Sequence, residues 1–316
     1  MGVMLLCPGQ GSQHPAMFER LVGEPAAREV LDIAAARLGL DLRRLGTAED
    51  GLDYADNRVA QILITAHCLA VRAVLGAEVG DICVGYSVGE IAANACAGAL
   101  DAAAALDLIE QRVHCMDEAC RAGECAQGML AVIGIPLATI GTLATEAGLA
   151  VAIINGADHV VLGGPVEALD RFEPTLEARG ARNVKRLQVR VASHTRFIAD
   201  AGPAFAAALA RAPWKPARIP VLSGIDGRLI GNRDSAVTAL SEQLWKPLDF
   251  RRCLQLAGER GATCALEIGP GHSLTRLAAD LLPEVPVRAF EDFRSPAGPL
   301  KWLAAQSRLS SAADGA

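Results

Sequence analysis

Gly85-Tyr86-Ser87-Val88-Gly89 holds a serine between two glycines, the G-x-S-x-G pattern of a nucleophile elbow. Ile82 to Val84 reads as a short buried strand leading in, and Glu90 to Ala97 as a helix leading out. In that context Ser87 sits on a strained turn with its Oγ exposed, as covalent catalysis requires. An ordinary glycine-rich β-to-α turn gives the same pattern, so the chemistry depends on a base. Of six histidines, His67 falls in an apolar helix and His114 beside a helical cysteine, where packing roles suffice. His194 follows the strand that ends the middle of the chain and lies downstream of Ser87, the order of an α/β-hydrolase triad. No acidic third member stands out. The loop Pro8-Gly9-Gln10-Gly11-Ser12-Gln13 could supply one oxyanion donor at Gln10 and the Val88 N–H the other, although a tight turn would need the same glycines. Arg112, on a predicted helix over 102–122, is a ready bidentate partner for a carboxylate; the commoner fate of a lone helical arginine is a solvated face.

These residues need strands that end together. Short apolar runs alternate with helical patterns, which predicts a largely parallel sheet covered by helices. Val3–Cys7 is the first strand, and Val59–Leu75 an amphipathic helix. The middle differs: Met129–Gly134, Val151–Ile154, Val160–Gly163 and Val184–Val189 as strands, with helices over Pro136–Gly148 and Val166–Gly180, spell βαββαβ. Strands near Val221 and Leu266 and helices at Thr238–Leu244 and Arg251–Arg260 then resume the first pattern. The expected fold is α/β: an α/β-hydrolase-like large domain with a parallel sheet (1–125 and 191–306) and an inserted ferredoxin-like small domain (126–190). A frayed Ser/Ala-rich tail is expected over 307–316.

The 316 residues carry 30 basic and 36 acidic side chains, a net charge of -6. That balance argues against a general binder of nucleic acid or anionic membranes. Nine cysteines lie mostly in apolar runs without CxxC spacing, which suits reduced thiols and no metal site. MGVMLLCPGQ lacks the basic region of a signal peptide, and the uncharged stretch Cys125–Thr145 is broken by Gly128, Gly134, Pro136 and Gly141. A cytoplasmic location is expected.

From Leu5 to about Leu277 the chain resembles the malonyl-CoA:acyl-carrier-protein transacylase family. CPGQGSQ (7–13) is similar to the family's opening FPGQGSQ, and GYSVGE (85–90) to its GHSLGE, with Tyr86 in place of histidine. Gln111-Arg112 with Met116, Gly128-Met129, Ile154-Asn155-Gly156, Ser193-His194, Gln243 in SEQLWKPLDF and EIGPGHSL (267–274) match in the same order. Tyr86 together with Phe290-Glu291-Asp292-Phe293-Arg294-Ser295 resembles the malonyltransferase (epsilon) subunit of bacterial malonate decarboxylase.

The resemblance implies transfer of malonyl from malonyl-CoA to the phosphopantetheine-type thiol of an acyl carrier protein, with no bound cofactor. Ser87 would be the nucleophile, His194 the base, and Gln10 and Val88 the oxyanion donors. Arg112 would hold the malonyl carboxylate, Asn155 would touch substrate, and the Gln243 backbone carbonyl would orient His194. The carrier subunit of malonate decarboxylase is the favoured partner, with a carrier of fatty-acid or polyketide synthesis as the alternative. A serine hydrolase of carrier thioesters is a further rival, but it has no need of Arg112.

Overall fold

The structure is a computed structural model and describes residues 2–40, 50–123 and 125–314. In chain order the main elements are β1 (Gly2–Cys7), α1 (Arg28–Leu38), α2 (Asn57–Leu75), β2 (Ile82–Gly85), α3 (Gly89–Cys96) and α4 (Ala102–Ala122). Next come β3 (Gln127–Ile133), α5 (Leu137–Glu146), β4 (Ala150–Ile154), β5 (His159–Pro165), α6 (Val166–Phe172) and β6 (Asn183–Arg186). The remainder is α7 (Ala201–Arg211), β7 (Val221–Leu222), β8 (Leu229–Ile230), α8 (Arg233–Glu242), β9 (Leu248–Asp249), α9 (Phe250–Glu259), β10 (Ala262–Glu267), α10 (Ser273–Leu281), β11 (Val287–Ala289) and α11 (Gly298–Asp314).

The large sheet runs β11-β10-β1-β2-β7-β8, parallel except for β8 at one edge. Both faces of β1 are buried, as strands inside a parallel sheet must be: Val3, Leu5 and Cys7 enter one core, Met4 and Leu6 the other. Parallel strands end at a common edge, so the loops after β1, β2 and β10 converge there.

The second sheet runs β6-β3-β5-β4-β9. Its first four strands pair antiparallel in the order that a βαββαβ chain adopts when it folds as a ferredoxin-like unit. Two details depart from expectation. The helix expected over Val166–Gly180 stops at Phe172 and continues as two 3-10 turns, because Pro174 has no N–H to continue the ladder. The sheet also gains β9, which pairs parallel with β4 across a long stretch of sequence. Met129, Ile153 and Val161 therefore share a core with Leu222, Phe250 and Leu254 of the larger unit.

α11 remains helical to Asp314, past the point where a frayed tail was expected, since KWLAAQSRL is made largely of good helix formers. Residues 315 and 316 lie outside the described residues. Seven of the nine free cysteines are buried, Cys120 is half-buried and Cys125 is exposed. Among the described residues only α2 is long and apolar enough to cross a membrane, and most of it is packed inside the protein. Cys125–Thr145 instead forms β3 and most of α5.

Candidate active site

Ser87 stands between β2 and α3 with φ +56°, one of two non-glycine residues with positive φ among those described. Such a backbone is rare and strained for a side chain, which is the signature of a nucleophile elbow. The turn is possible only because its neighbours are glycines. A Cβ on Gly85 would stand 2.3 Å from the Glu90 backbone nitrogen, and one on Gly89 would stand 2.1 Å from the Cys7 carbonyl oxygen. The elbow thus presses against the end of β1 and brings the Pro8–Gln13 loop beside Ser87. Neither Gln10, in the loop after β1, nor Val88, at the start of α3, spends its backbone N–H on another described residue, so both stay available as donors.

The other residue with positive φ is His194, at +61°. Its backbone N–H donates to Leu244 O at 2.6 Å, and its ring contacts Gln243 O through Nδ1 at 2.5 Å. A carbonyl only accepts, so the proton resides on Nδ1 and Nε2 is left as an acceptor. Ser87 Oγ lies 2.8 Å from that Nε2 and donates to it. The geometry is that of a serine–histidine pair in which a main-chain carbonyl stands where a triad carboxylate would be.

Arg112 departs from the fate of a lone helical arginine. It is 1% exposed, the largest of the fully buried side chains. Nη1 donates to Gln61 Oε1 at 2.6 Å and Nη2 to Ser87 Oγ at 3.3 Å. Gln61 is held in turn by Asn57 Oδ1 at 2.7 Å. Burial lowers the Arg112 pKa to about 10, partly offset by Glu90, so the side chain stays cationic at neutral pH. Burial, with the Arg112 charge next, lowers His194 to about 3, which keeps the imidazole a neutral base.

A cleft of about 490 Å³ opens over Ser87 between the two sheets, walled by Tyr86, Met129, Ile153, Leu187 and Leu277. Asn155 lines it at 5% exposure, its Nδ2 3.4 Å from His159 Nε2, and the half-buried Tyr86 phenol reaches it. The site thus gathers Ser87, His194, Gln10, Val88, Arg112, Asn155 and Gln243. Sequence reasoning overlooked Gln61 and Glu90. A polar residue inside the apolar run of α2 was the available signal for the first, and the acid that ends GYSVGE for the second.

The family model for the acyl transferase domain matches residues 4–285. The chain belongs to the acyl transferase family. Malonyl CoA-acyl carrier protein transacylase of Mycobacterium bovis is 34% identical over 304 residues, spanning 93% of this chain and 97% of that one. The protein of that name from Escherichia coli O157:H7 is 31% identical over 293 residues, 90% and 94% of the two chains. Among solved structures, the malonyl-CoA:acyl carrier protein transacylase of Xanthomonas oryzae superposes with a TM-score of 0.87 at 29% identity, covering 96% of this acyl transferase and 99% of its own chain. A malonyl-transacylase in complex with its type II polyketide synthase acyl-carrier protein gives 0.86 at 27%, covering 94% and 98%.

His67 lies in the core of this acyl transferase, edged by Phe18 and Phe290, and burial lowers it to about 4. The unfolded chain takes up a proton at His67 near the ordinary value of 6.5, and the folded chain only near 4. Unfolding therefore binds a proton inside that window, and stability falls as pH falls through it. Glu90, pushed up to about 7 by burial, works in the opposite direction between its ordinary 4.5 and 7. Glu90 and His194 titrate in the same window in both proteins, so the difference between them isolates His67. In urea unfolding across pH 4.5 to 6, His67→Leu is expected to lower the slope of stability against pH by about 1 kcal/mol per pH unit relative to wild type.

Proposed function

We propose that the protein moves a malonyl group from malonyl-CoA to the thiol of an acyl carrier protein through a malonyl ester on Ser87. The observation that carries this is the environment of Ser87 Oγ, which meets His194 Nε2 at 2.8 Å on one side and the buried Arg112 guanidinium at 3.3 Å on the other. A nucleophile with a base is common to many hydrolases and transferases; a desolvated cation beside it suits an acyl group that ends in a carboxylate.

In the first half-reaction the Ser87 proton passes to His194 Nε2 as Oγ bonds to the thioester carbonyl carbon. The N–H groups of Gln10 and Val88 hold the oxyanion. The C–S bond then breaks, CoA leaves with the proton returned by His194, and the malonyl ester remains with its carboxylate on Arg112. In the second half the carrier thiol gives its proton to His194 and attacks the ester, and Ser87 recovers the proton. The Gln243 carbonyl holds the ring through both halves, and Asn155 contacts substrate at the cleft wall.

A carrier of fatty-acid or polyketide synthesis is the better supported acceptor, because the curated relatives are named for transfer to an acyl carrier protein and one solved malonyl-transacylase holds its type II polyketide synthase carrier. The malonate decarboxylase carrier, favoured by the sequence, rests on Tyr86 and Phe290–Ser295. Much of that segment has structural work: Phe290 packs on His67, Glu291 pairs with His14 at 2.8 Å, and Asp292 with His272 at 2.9 Å. Tyr86 stacks edge-on against Phe250 at 4.9 Å, so it too has a packing role. A cytoplasmic setting suits the buried free thiols.

Acyl-enzyme loaded with malonyl-CoA and then mixed with each carrier tests the assignment. Rapid discharge onto a fatty-acid or polyketide carrier is expected. Discharge only onto a malonate decarboxylase carrier would reverse the order of the two readings, and discharge only to water would make the protein a hydrolase.

A further inference from the structure

Serine, histidine and a backbone carbonyl are in place, but no acid touches the histidine. A carboxyl group lies one step beyond. Glu90, the last residue of GYSVGE, is 0% exposed. Its Oε2 accepts from the Gln243 side-chain Nε2 at 2.5 Å and from the Gly224 N–H at 2.8 Å, while Oε1 is buried with no hydrogen-bond partner. Gln243 is the same residue whose main-chain carbonyl holds His194 Nδ1. One carboxyl group therefore ties together the helix after the nucleophile, the loop after β7 and the residue that aims the base.

Packing does not explain this choice. Burying a carboxyl with an unpaired oxygen is unfavourable, and burial pushes the group up to about 7. The space is tight, since a Cβ on Gly224 would stand 2.7 Å from Glu90 Oε2. A costly polar group fixed at a catalytic elbow points to positioning.

We propose that Glu90 is a positioning residue for acyl transfer: by gripping the Gln243 side chain it fixes the main-chain carbonyl that orients His194. The inference rests on the serine–histidine reading given above. Glu90 takes no proton from His194 and touches no substrate; it acts through Gln243. Arg112 and Gln61 belong to a separate hydrogen-bonded chain, so the carboxylate clamp keeps its hydrogen bonds when Glu90 is changed and loses only the charge of Glu90 on Arg112.

Single-turnover malonylation of Ser87 separates the possibilities. Glu90→Ala is expected to slow acylation on the order of 10- to 100-fold through misalignment of the base, with KM for malonyl-CoA within about twofold. Gln243→Ala keeps its own carbonyl but loses the grip, so it should match that loss, and the double variant should be no slower than either single one. Glu90→Gln retains an oxygen for both donors and is expected to recover most of the rate. The Nδ1–H proton resonance of His194, read by NMR without substrate, should move in both alanine variants and return in Glu90→Gln. Wild-type acylation rates in both alanine variants, additive losses in the double variant, or an unshifted resonance would overturn the proposal. Absence of acylation in wild type would instead overturn the transfer reading, and the resonance would still decide the role of Glu90.

Discussion

His194→Asn is expected to lower kcat/KM for malonyl-CoA by about 1,000-fold or more while the protein stays folded. General-base assistance contributes roughly 10²- to 10⁴-fold, and His194 serves both half-reactions. Asparagine is the informative replacement because the residue sits at φ +61°, a backbone that asparagine tolerates better than alanine. Its amide can still donate to the Gln243 carbonyl 2.5 Å from the native ring, but it cannot accept the Ser87 proton. Stopped-flow release of CoA thiol checks the rate, and urea unfolding checks the fold. A loss below about tenfold in a folded variant would mean that the base lies elsewhere.

Arg112→Ala is expected to cost malonyl transfer about 100- to 1,000-fold and to leave acetyl transfer from acetyl-CoA close to its wild-type rate. Truncating one side of a buried charge pair removes about 2–5 kcal/mol, and the malonyl carboxylate would then enter a desolvated site without a counter-charge. Acetyl has no carboxylate to lose. The variant also leaves Gln61 Oε1 without its donor, so some loss of stability accompanies the change. Arg112→Lys keeps a positive charge but not the fork of donors that now spans Gln61 and Ser87, and it should recover malonyl transfer only partly. Parallel acyl-transfer assays with the two thioesters read the ratio. Equal losses for both acyl groups would make Arg112 a structural residue.

The motif carried much of this site. Two glycines around Ser87 are demanded by contacts of 2.3 Å and 2.1 Å that any Cβ would make, so the elbow was legible from residue types alone. His194 was legible as the candidate base from its place after the closing strand and downstream of Ser87, but the Gln243 carbonyl was legible only by resemblance, because a backbone acceptor leaves no side-chain signature. The depth of Arg112 was not legible. A long helix with one cation is ordinarily read as a solvated face, and only packing between α2 and α4 buries the guanidinium against Gln61. A net charge of -6 is likewise silent about one desolvated cation.

At the level of the fold, βαββαβ order could be read from periodicity, since each of its strands and helices is long enough to show its own repeat. β9 could not: two residues carry no periodicity, and their partner β4 lies far upstream. Pro174 was visible, yet it was overridden by the apolar pattern on either side; its missing N–H decided the end of α6. Glu90 was in plain view, but its tie to Gln243 joins residues 153 positions apart.

The covalent intermediate is the most direct test. Brief incubation with malonyl-CoA, quenching in acid, and intact-mass and peptide analysis should show one malonyl group per chain, located on Ser87, and none in Ser87→Ala. An unmodified wild-type protein that still transfers malonyl, or an undiminished adduct in Ser87→Ala, would contradict the mechanism.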